Sequence, residues 1–365
     1  MKNNIGIKIL IGILVLVVIV AGGLFAVKIL KDKELQGNIQ TGNLNNDSGT
    51  TVVEVKEPKT FQGTDRPIAV MIDNHKSAMP QAGLNDAYMV YEMIVEGGET
   101  RLMLLLKGVN LEKIGPVRSS RHYFLDYALE NDAIYTHFGW SPQAQSDISK
   151  LNVNNINGIY ESSTSFWRVK DKSAPHNAVT STAKILEIAK RKGYATTSTK
   201  ESVLNYVADP VELDSKIEAT TVIIPYSTSN TVRYEYDATT QRYTRYSRNT
   251  KQVDWVTGET VTTKNILVYK AKNTTLNDGE NKGRQTLDNV KTLEGYYITN
   301  GKAIEITAEK STRSGQTVYK DLKGNEIEVN DGNTFVQICP IDSKIEITPG
   351  APVETDNTNT VNTVE

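Results

Sequence analysis

The chain contains a single cysteine in 365 residues, so it cannot form an intrachain disulfide. That residue, Cys339, lies far from the N-terminus and therefore cannot be the attachment point of an N-terminal lipid. Its apolar surroundings, FVQICP, predict a small buried side chain rather than a reactive thiol. An excess of basic charge is also missing, since the formal net charge is −2, and we expect no nucleic-acid partner.

Several signature motifs of catalytic and cofactor sites are absent. The sequence has no HExxH, CxxC, GxSxG or GxGxxG motif and no P-loop. The side chains of Asp73, His75, His137 and His176 could converge, but their spacing does not require a metal site. We therefore predict neither a metal ion nor a cofactor.

A long apolar run is present near the N-terminus. Residues 9–27 form an uninterrupted stretch of 19 apolar or glycine residues. As a helix it would be about 28 Å long, close to the roughly 30 Å hydrocarbon core of a bilayer. We predict a cytoplasmic segment at 1–8, an uncleaved transmembrane signal anchor at 9–28 and a flexible tether at 29–64. A cleavable signal peptide ending near Ala21-Gly22-Gly23 is the alternative. The predicted location is the cell membrane, with a single span and the body outside the cytoplasm.

The sequence after the tether falls into two regions with different residue patterns. Residues 65–205 alternate short apolar runs with helix-like segments, which predicts an α/β domain. Residues 206–348 are rich in alternating Tyr, Thr and Val and predict a smaller, mainly β domain, with Asn300-Gly301 as a hairpin turn. Residues 349–365 are polar and predict a disordered tail.

Turn and capping residues mark the elements of the first domain. The runs AYMVYEMIV and TRLMLLL predict two strands joined by a Gly-Gly turn. One helix is predicted from Ser120 to Leu129, and a second opens at Ser141-Pro142. A third is predicted from Ser181 to Lys192, with Gly193 ending it.

The segment GPVRSSR, residues 115–121, brings two arginines and two serines to the predicted start of a helix. Free N–H groups at a helix start and the forked guanidinium group both bind phosphate or carboxylate. Ser119 or Ser120 could instead cap the helix, while Arg118 and Arg121 form surface salt bridges. The sequence leaves both interpretations open.

Two further polar clusters carry histidines. In THFGWSPQ, His137 ends a strand and Trp140 could stack on a sugar, although a backbone carbonyl could equally satisfy His137. In FWRVKDKSAPHN, His176 follows a rigid proline turn. The predicted ligand-binding residues are Arg101, Arg118, Ser119, Arg121, His137, Trp140, Gln143, Arg168, His176 and Asn177, with His137 and His176 as candidate general bases.

The ordered segments RPIAVMIDNH, PQAGLNDAYMVYE, VEGGETR, KIGPVRSSR, HFGWSPQA, FWR and APHN resemble the YerB-like family of bacterial surface proteins, domain of unknown function 3048. The similarity continues through VDWVTGE, GYYITNGKAIEI and GNTFVQICP. It implies an α/β domain followed by a smaller β-rich one, in a lipoprotein or anchored protein of Gram-positive bacteria, and it brings no established activity. The family's N-terminal lipid cysteine is missing here, so a transmembrane anchor is expected instead. A looser similarity in layout, to cell-wall glycopolymer ligases of the LytR-CpsA-Psr type, implies lipid-linked pyrophosphate as one ligand class.

Two functions remain open at this stage. The protein could be an extracytoplasmic envelope protein that binds an anionic glycan, peptidoglycan or phosphate-bearing ligand, with Arg118 and Arg121 as a clamp. It could also be an envelope enzyme, a phosphotransferase on lipid-linked glycan or a hydrolase, that uses the same arginines and histidines. The β-rich domain could in addition dock an envelope protein partner through exposed tyrosines, although ordinary solvent-facing tyrosines are the simpler interpretation. The tyrosines concerned are Tyr234, Tyr236, Tyr243 and Tyr246.

Overall fold

The computed structural model describes residues 56–350. The predicted cytoplasmic segment and transmembrane anchor, most of the predicted tether and nearly all of the predicted tail lie outside these residues. Between residues 56 and 350, each helix is too short or too polar to span a bilayer.

The described residues form twenty-two strands and three α-helices, together with single 3-10 turns at Lys76–Ala78, Glu96–Gly98 and Gly158–Tyr160. The strands are β1 (Ile68–Asp73), β2 (Met89–Ile94), β3 (Thr100–Leu106), β4 (Ile134–His137), β5 (Asn155–Asn157), β6 (Trp167–Arg168), β7 (Ala178–Val179), β8 (Tyr206–Val207), β9 (Ile217–Glu218), β10 (Thr221–Ser227), β11 (Asn230–Asp237), β12 (Arg242–Ser247), β13 (Thr250–Lys251), β14 (Thr262–Thr263), β15 (Asn265–Thr275), β16 (Gln285–Asp288), β17 (Thr292–Thr299), β18 (Lys302–Glu309), β19 (Val318–Asp321), β20 (Val329–Asn330), β21 (Thr334–Pro340) and β22 (Glu346–Thr348). The helices are α1 (Phe124–Glu130), α2 (Pro142–Lys150) and α3 (Thr182–Arg191).

A twelve-stranded mixed sheet runs through the core. Its strand order is β19-β18-β17-β15-β21-β2-β3-β1-β4-β5, with β16 beside β15 and β9 beside β18. Every residue of β1, β2 and β3 is buried, so both faces of the sheet are covered at its centre. Such strands read as continuous apolar runs, as RPIAVMID and TRLMLLL do in the sequence.

The predicted α/β class is wrong, because the described chain is mainly β. Within the first predicted range, β1 and β3 pair antiparallel, as do β3 and β2, and parallel pairing is confined to β1, β4 and β5. Strand β21, from the second range, lies parallel between β2 and β15, so one sheet contains strands of both ranges. Alternating short strands and helices fit several fold classes, and the partner of a strand is not written in its local pattern.

A second sheet has the order β13-β12-β11-β10-β22, with β14 beside β12. Its strands β10 and β12 alternate buried and partly exposed residues, so one face packs on the core. Tyr234 and Tyr243 lie on that buried face with no exposed surface, whereas Tyr236 and Tyr246 are partly buried. Both the docking and the solvent-facing interpretation are therefore wrong for Tyr234 and Tyr243, because the side-chain period of two places them inward.

Two of the three helix starts are confirmed. The Ser141 hydroxyl accepts a hydrogen bond from the Ala144 N–H at 3.2 Å, and the Ser181 hydroxyl accepts one from the Lys184 N–H at 3.3 Å. The predicted start at Ser120 is wrong, since α1 begins only at Phe124. The Ser120 N–H donates to the Gly139 carbonyl at 2.9 Å instead, because residues 118–120 run extended between neighbouring segments.

Candidate functional site

Asp73, the last residue of β1, gathers three other groups around its carboxylate. Its Oδ2 atom lies 2.7 Å from His176 Nδ1 and 2.9 Å from Arg118 Nε. Its Oδ1 atom accepts a hydrogen bond from the His75 backbone N–H at 3.1 Å. The carboxylate is almost fully buried, so these contacts replace the water that it loses on folding.

The segment GPVR reaches Asp73 because it runs alongside β1. The Arg118 N–H donates to the Met71 carbonyl at 2.9 Å, and the Asp73 N–H donates to the Pro116 carbonyl at 2.9 Å. Gly115, with a φ of 142°, begins this segment, and a Cβ there would lie 3.0 Å from the Ala178 carbonyl. The glycine thus permits a close approach of two backbones that places the guanidinium of Arg118 at the end of β1.

The loop APHN is held by its own hydrogen bonds. The His176 N–H donates to the Ser173 carbonyl at 2.9 Å. The Asn177 side-chain amide donates to the carbonyls of Val169 and Lys172, both at 3.1 Å. Asn177 therefore shapes the loop that presents His176, and it is buried rather than open to a ligand.

The imidazole of His75 packs against that of His176. The ring centroids lie 4.5 Å apart and the ring planes differ by 15°, so the two rings are stacked. His75 Nδ1 accepts a hydrogen bond from the Ser77 N–H at 3.1 Å. Both rings are partly exposed, and no residue of the described chain hydrogen-bonds to either Nε2 atom.

Arg118 has its Nη groups available. Its Nε lies within ion-pair distance of Asp73, but the N–H is not aligned for a hydrogen bond. Within residues 56–350 neither Nη group has a hydrogen-bond acceptor, and a quarter of the side chain is exposed. This guanidinium can therefore accept an anion without breaking a contact.

The guanidinium groups of Arg121 and Arg101 make buried contacts with other residues of the protein. Arg121 Nη2 donates to Glu96 Oε2 at 2.8 Å, and Arg121 Nε pairs with Glu96 Oε1 at 2.5 Å. Arg101 donates to the Ser119 carbonyl and lies 3.9 Å from Glu96 Oε2. Burial, and then the charge of nearby Arg121, lower the pKa of Arg101 to about 9. The expected pairing of Arg118 and Arg121 as one open clamp is thus not what the side chains form.

His137 is fully buried, and both of its ring nitrogens have hydrogen-bond partners. Its Nδ1 lies 2.8 Å from the Gly139 carbonyl and its Nε2 lies 3.3 Å from Asn155 Oδ1. Burial lowers the pKa of His137 to about 4, so the ring is neutral near pH 7. The alternative in which a backbone carbonyl satisfies His137 is what the geometry supports, and the ring is not presented to a ligand.

Three further predicted residues make hydrogen bonds to other groups of the protein. Ser119 donates its hydroxyl to the Phe138 carbonyl at 3.0 Å, and Gln143 donates to Asp147 Oδ1 within α2 at 2.7 Å. Arg168 donates to Asn177 Oδ1 at 2.6 Å and lies over the Phe138 ring.

Trp140 is half-buried and packs against exposed Tyr160, with ring centroids 5.7 Å apart. The segment that carries Trp140 runs beside the one that carries Arg118, since a Cβ on Gly139 would lie 3.1 Å from the Ser119 hydroxyl.

Sequence reasoning missed the centre of the cluster. Asp73 and His75 were considered as possible metal ligands and were not among the predicted ligand-binding residues, yet they contact His176, which lies more than one hundred residues further along the chain. Between them, buried Asn74 donates to Glu92 Oε1 at 3.0 Å and ties the cluster to the core. The available signal was a carboxylate and an imidazole directly after a buried strand.

Other possible sites are less suited to chemistry. In the described part of the chain no three His, Cys, Asp or Glu side chains are arranged to hold a metal ion. A groove of about 910 Å³ runs between the start of β1 and α3, lined in part by Ile68, Leu186 and Tyr194, but it contains none of the predicted site residues.

Comparison with known proteins identifies the family. Residues 51–195 match the "Protein of unknown function (DUF3048) N-terminal domain", and residues 222–336 match the corresponding C-terminal domain. The chain is 30% identical over 308 residues to the "Putative lipoprotein YerB" of Bacillus subtilis (strain 168), which covers 82% of this chain and 88% of that one. The crystal structure of YerB from Bacillus subtilis superimposes with a TM-score of 0.69 at 29% identity, covering 78% of this chain and 94% of YerB. On this evidence the chain belongs to the DUF3048 family, as the sequence motifs predicted.

Proposed function

We propose that this chain is an extracytoplasmic protein of the cell envelope that binds the phosphate group of an envelope glycan. The observation that carries the proposal is the open Arg118 guanidinium beside His75 and His176 at the end of β1. An envelope location is supported by the name of the relative, which describes a lipoprotein.

The charge balance of the cluster favours an anion. Three guanidinium groups, those of Arg101, Arg118 and Arg121, are electrostatically coupled to two carboxylates, those of Asp73 and Glu96. One positive charge is therefore left uncompensated even when the histidines are neutral. Burial and the charge of Arg121 lower the pKa of Arg101, although Glu96, whose Oε2 lies 3.9 Å away, acts in the opposite direction.

The neighbouring aromatic pair favours a sugar next to that anion. Tyr160 is 71% exposed and contacts half-buried Trp140, which gives an aromatic surface open to solvent. Aromatic rings of this kind provide apolar contact area with a polar tip at binding sites. Because Gly139 lies beside Ser119, the segments that carry Trp140 and Arg118 are adjacent, which supports a glycosyl phosphate as the ligand.

The test is isothermal titration of the purified chain with inorganic phosphate, pyrophosphate and N-acetylglucosamine 1-phosphate. Arg118→Gln should raise the Kd for all three by at least about tenfold, since a charged hydrogen bond contributes about 1.5–3 kcal/mol. Tyr160→Ala should weaken only the sugar phosphate.

The matched control is Arg191→Gln, which removes a largely exposed guanidinium at the C-terminal end of α3 that pairs with Glu161. It should leave all three affinities unchanged. The proposal fails if the wild-type chain binds none of the probes, or if Arg118→Gln and Arg191→Gln have the same effect.

A further inference from the structure

The hydrogen-bond partners of His176 fix where its proton lies. A carboxylate only accepts hydrogen bonds, so the contact of 2.7 Å between His176 Nδ1 and Asp73 Oδ2 places a proton on Nδ1. The neutral ring then carries its lone pair on Nε2, the partly exposed nitrogen. A carboxylate that orients an imidazole in this way leaves it ready to accept a proton at Nε2.

His75 has the opposite tautomer. Its Nδ1 accepts from the Ser77 backbone N–H at 3.1 Å, and a backbone N–H can only donate. The proton of the neutral His75 ring therefore lies on Nε2, which becomes a hydrogen-bond donor. Because the His75 and His176 rings are stacked at 4.5 Å, a donor and an acceptor nitrogen lie on neighbouring rings.

Arg118 adds a fixed positive charge to this pair. It contacts the same oxygen of Asp73 as His176 does, and its Nη groups have no acceptor within the described residues. An anion held by Arg118 would thus lie beside an acceptor nitrogen on His176 and a donor nitrogen on His75. Charge that develops on such an anion during a reaction would be stabilised by both donors.

We propose that Asp73, His176, His75 and Arg118 form a metal-independent site for hydrolysis of phosphodiesters. This inference rests on the proposed anion binding and adds that the bound phosphodiester is hydrolysed. His176 Nε2 takes a proton from water as the water oxygen bonds to phosphorus, and Asp73 stabilises the imidazolium that forms. The bond between phosphorus and the leaving oxygen breaks, and that oxygen receives the proton from His176 Nε2. The products are a phosphate monoester and an alcohol, while His75 Nε2–H and Arg118 donate hydrogen bonds to the phosphoryl oxygens.

The test is hydrolysis of bis(p-nitrophenyl) phosphate by the purified chain in the presence of EDTA. His176→Asn is the informative variant, because the shorter amide can still donate to Asp73 while the Nε2 acceptor is lost. We expect it to lower kcat by about 10²–10⁴-fold, the usual contribution of a general base, and to leave phosphate binding within about threefold. His122→Asn, which alters a histidine hydrogen-bonded to Thr286 and to no member of this cluster, should keep kcat.

Each other outcome overturns the inference in a distinguishable way. If the wild-type chain binds phosphate but shows no turnover, the proposed hydrolysis is wrong and the proposed binding function still stands. Turnover that survives His176→Asn removes the general base. Absence of both binding and turnover removes the proposed function as well.

A measurement independent of substrate is the ¹⁵N NMR spectrum of histidine-labelled protein. It should assign the Nδ1–H tautomer to His176 and the Nε2–H tautomer to His75, with His75→Gln and His176→Asn identifying the signals. The reverse assignment would overturn the inference even if activity were found.

Discussion

Arg245 and Glu92 form an ion pair in which neither side chain has any exposed surface. Arg245 Nη2 donates to Glu92 Oε2 at 2.6 Å, and this contact joins β12 in the second family segment to β2 in the first. Glu92 Oε1 accepts further hydrogen bonds from Asn74 and Thr100. The pair therefore links the two segments in the core and also supports Asn74, the residue between Asp73 and His75.

Removing one partner of this pair should be costly. Arg245→Met would leave the Glu92 carboxylate buried without its counter-charge, and breaking such a pair typically costs about 3–5 kcal/mol. The double variant Glu92→Gln with Arg245→Met should recover a large part of that loss, since no charge is then left buried. Urea unfolding of the single and double variants measures both effects. Equal stability of Arg245→Met and the wild type would show that the pair contributes nothing.

Arg121 and Arg118 should separate into a structural and a ligand-binding role. Burial alone would raise the pKa of Glu96, but the hydrogen bonds and charge of Arg121 outweigh it and hold that pKa below its ordinary value. Arg121→Gln should therefore lower the free energy of unfolding by about 2–4 kcal/mol through the loss of a partly buried pair. The more exposed Arg118 should lose less stability, because its Nε makes no aligned hydrogen bond to Asp73 and that carboxylate keeps its hydrogen bonds from His176 and the His75 N–H. It should instead show the large change in phosphate affinity. Denaturant titration and calorimetric binding on both variants make the comparison. A larger stability loss for Arg118→Gln than for Arg121→Gln would contradict it.

Local sequence patterns predicted local structure well in this chain. Ser141 and Ser181 cap helices as expected, and Asn300-Gly301 forms the turn between β17 and β18, because each of these depends on a few adjacent residues. The pairing of β2 with β21 was not predictable in the same way. Met89 lies opposite Thr334, and nothing in either run of sequence specifies a partner so distant along the chain.

The candidate site shows the same division. Arg118 and His176 were predicted as ligand-binding residues from their own segments, but the carboxylate that joins them, Asp73, lies in a third segment. The contacts of His137 and Arg121 were not predictable for a related reason. Their residue types suggest chemistry, yet contacts with Gly139, Asn155 and Glu96 use up their polar atoms, and those contacts depend on tertiary packing. Sequence could name the residue types near the site but not which of them stay available.

Cys339 should be unreactive in the native protein. Its side chain is 1% exposed, and burial raises the pKa of the thiol to about 11, so almost no thiolate is present at pH 8. We expect no measurable reaction with 5,5′-dithiobis(2-nitrobenzoate) under native conditions and one equivalent of reaction in 6 M guanidinium chloride. Rapid labelling of the native chain would contradict the burial of this residue.

Gly301 should be more sensitive to substitution than Gly324. Both have positive φ, 75° and 88°, which costs a residue with a side chain about 1–2 kcal/mol. A Cβ on Gly301 would also lie 3.0 Å from the Tyr236 ring, whereas one on Gly324 would meet no atom within 4 Å. Gly301→Ala should therefore destabilise the protein more than Gly324→Ala, because only the first adds a steric clash. Thermal unfolding of the two variants side by side measures the difference, and equal Tm values would show that the Tyr236 ring moves away freely.

Buried His137 should make stability fall in mild acid. Its pKa is about 4 in the folded chain and 6.5 in an exposed histidine, because burial disfavours the charged ring. Between these values the unfolded chain binds a proton that the native chain does not, so the free energy of unfolding decreases as the pH is lowered from 6.5 towards 4. The full window corresponds to about 3 kcal/mol at about 1.4 kcal/mol per pH unit. His137→Gln removes the ionisable group, so its stability should depend less steeply on pH than that of the wild type, whatever its stability at pH 7. Urea unfolding of both proteins at pH 4.5, 5.5 and 7.0 gives the two slopes, and parallel slopes would mean that His137 is protonated as easily in the native chain as in the unfolded one.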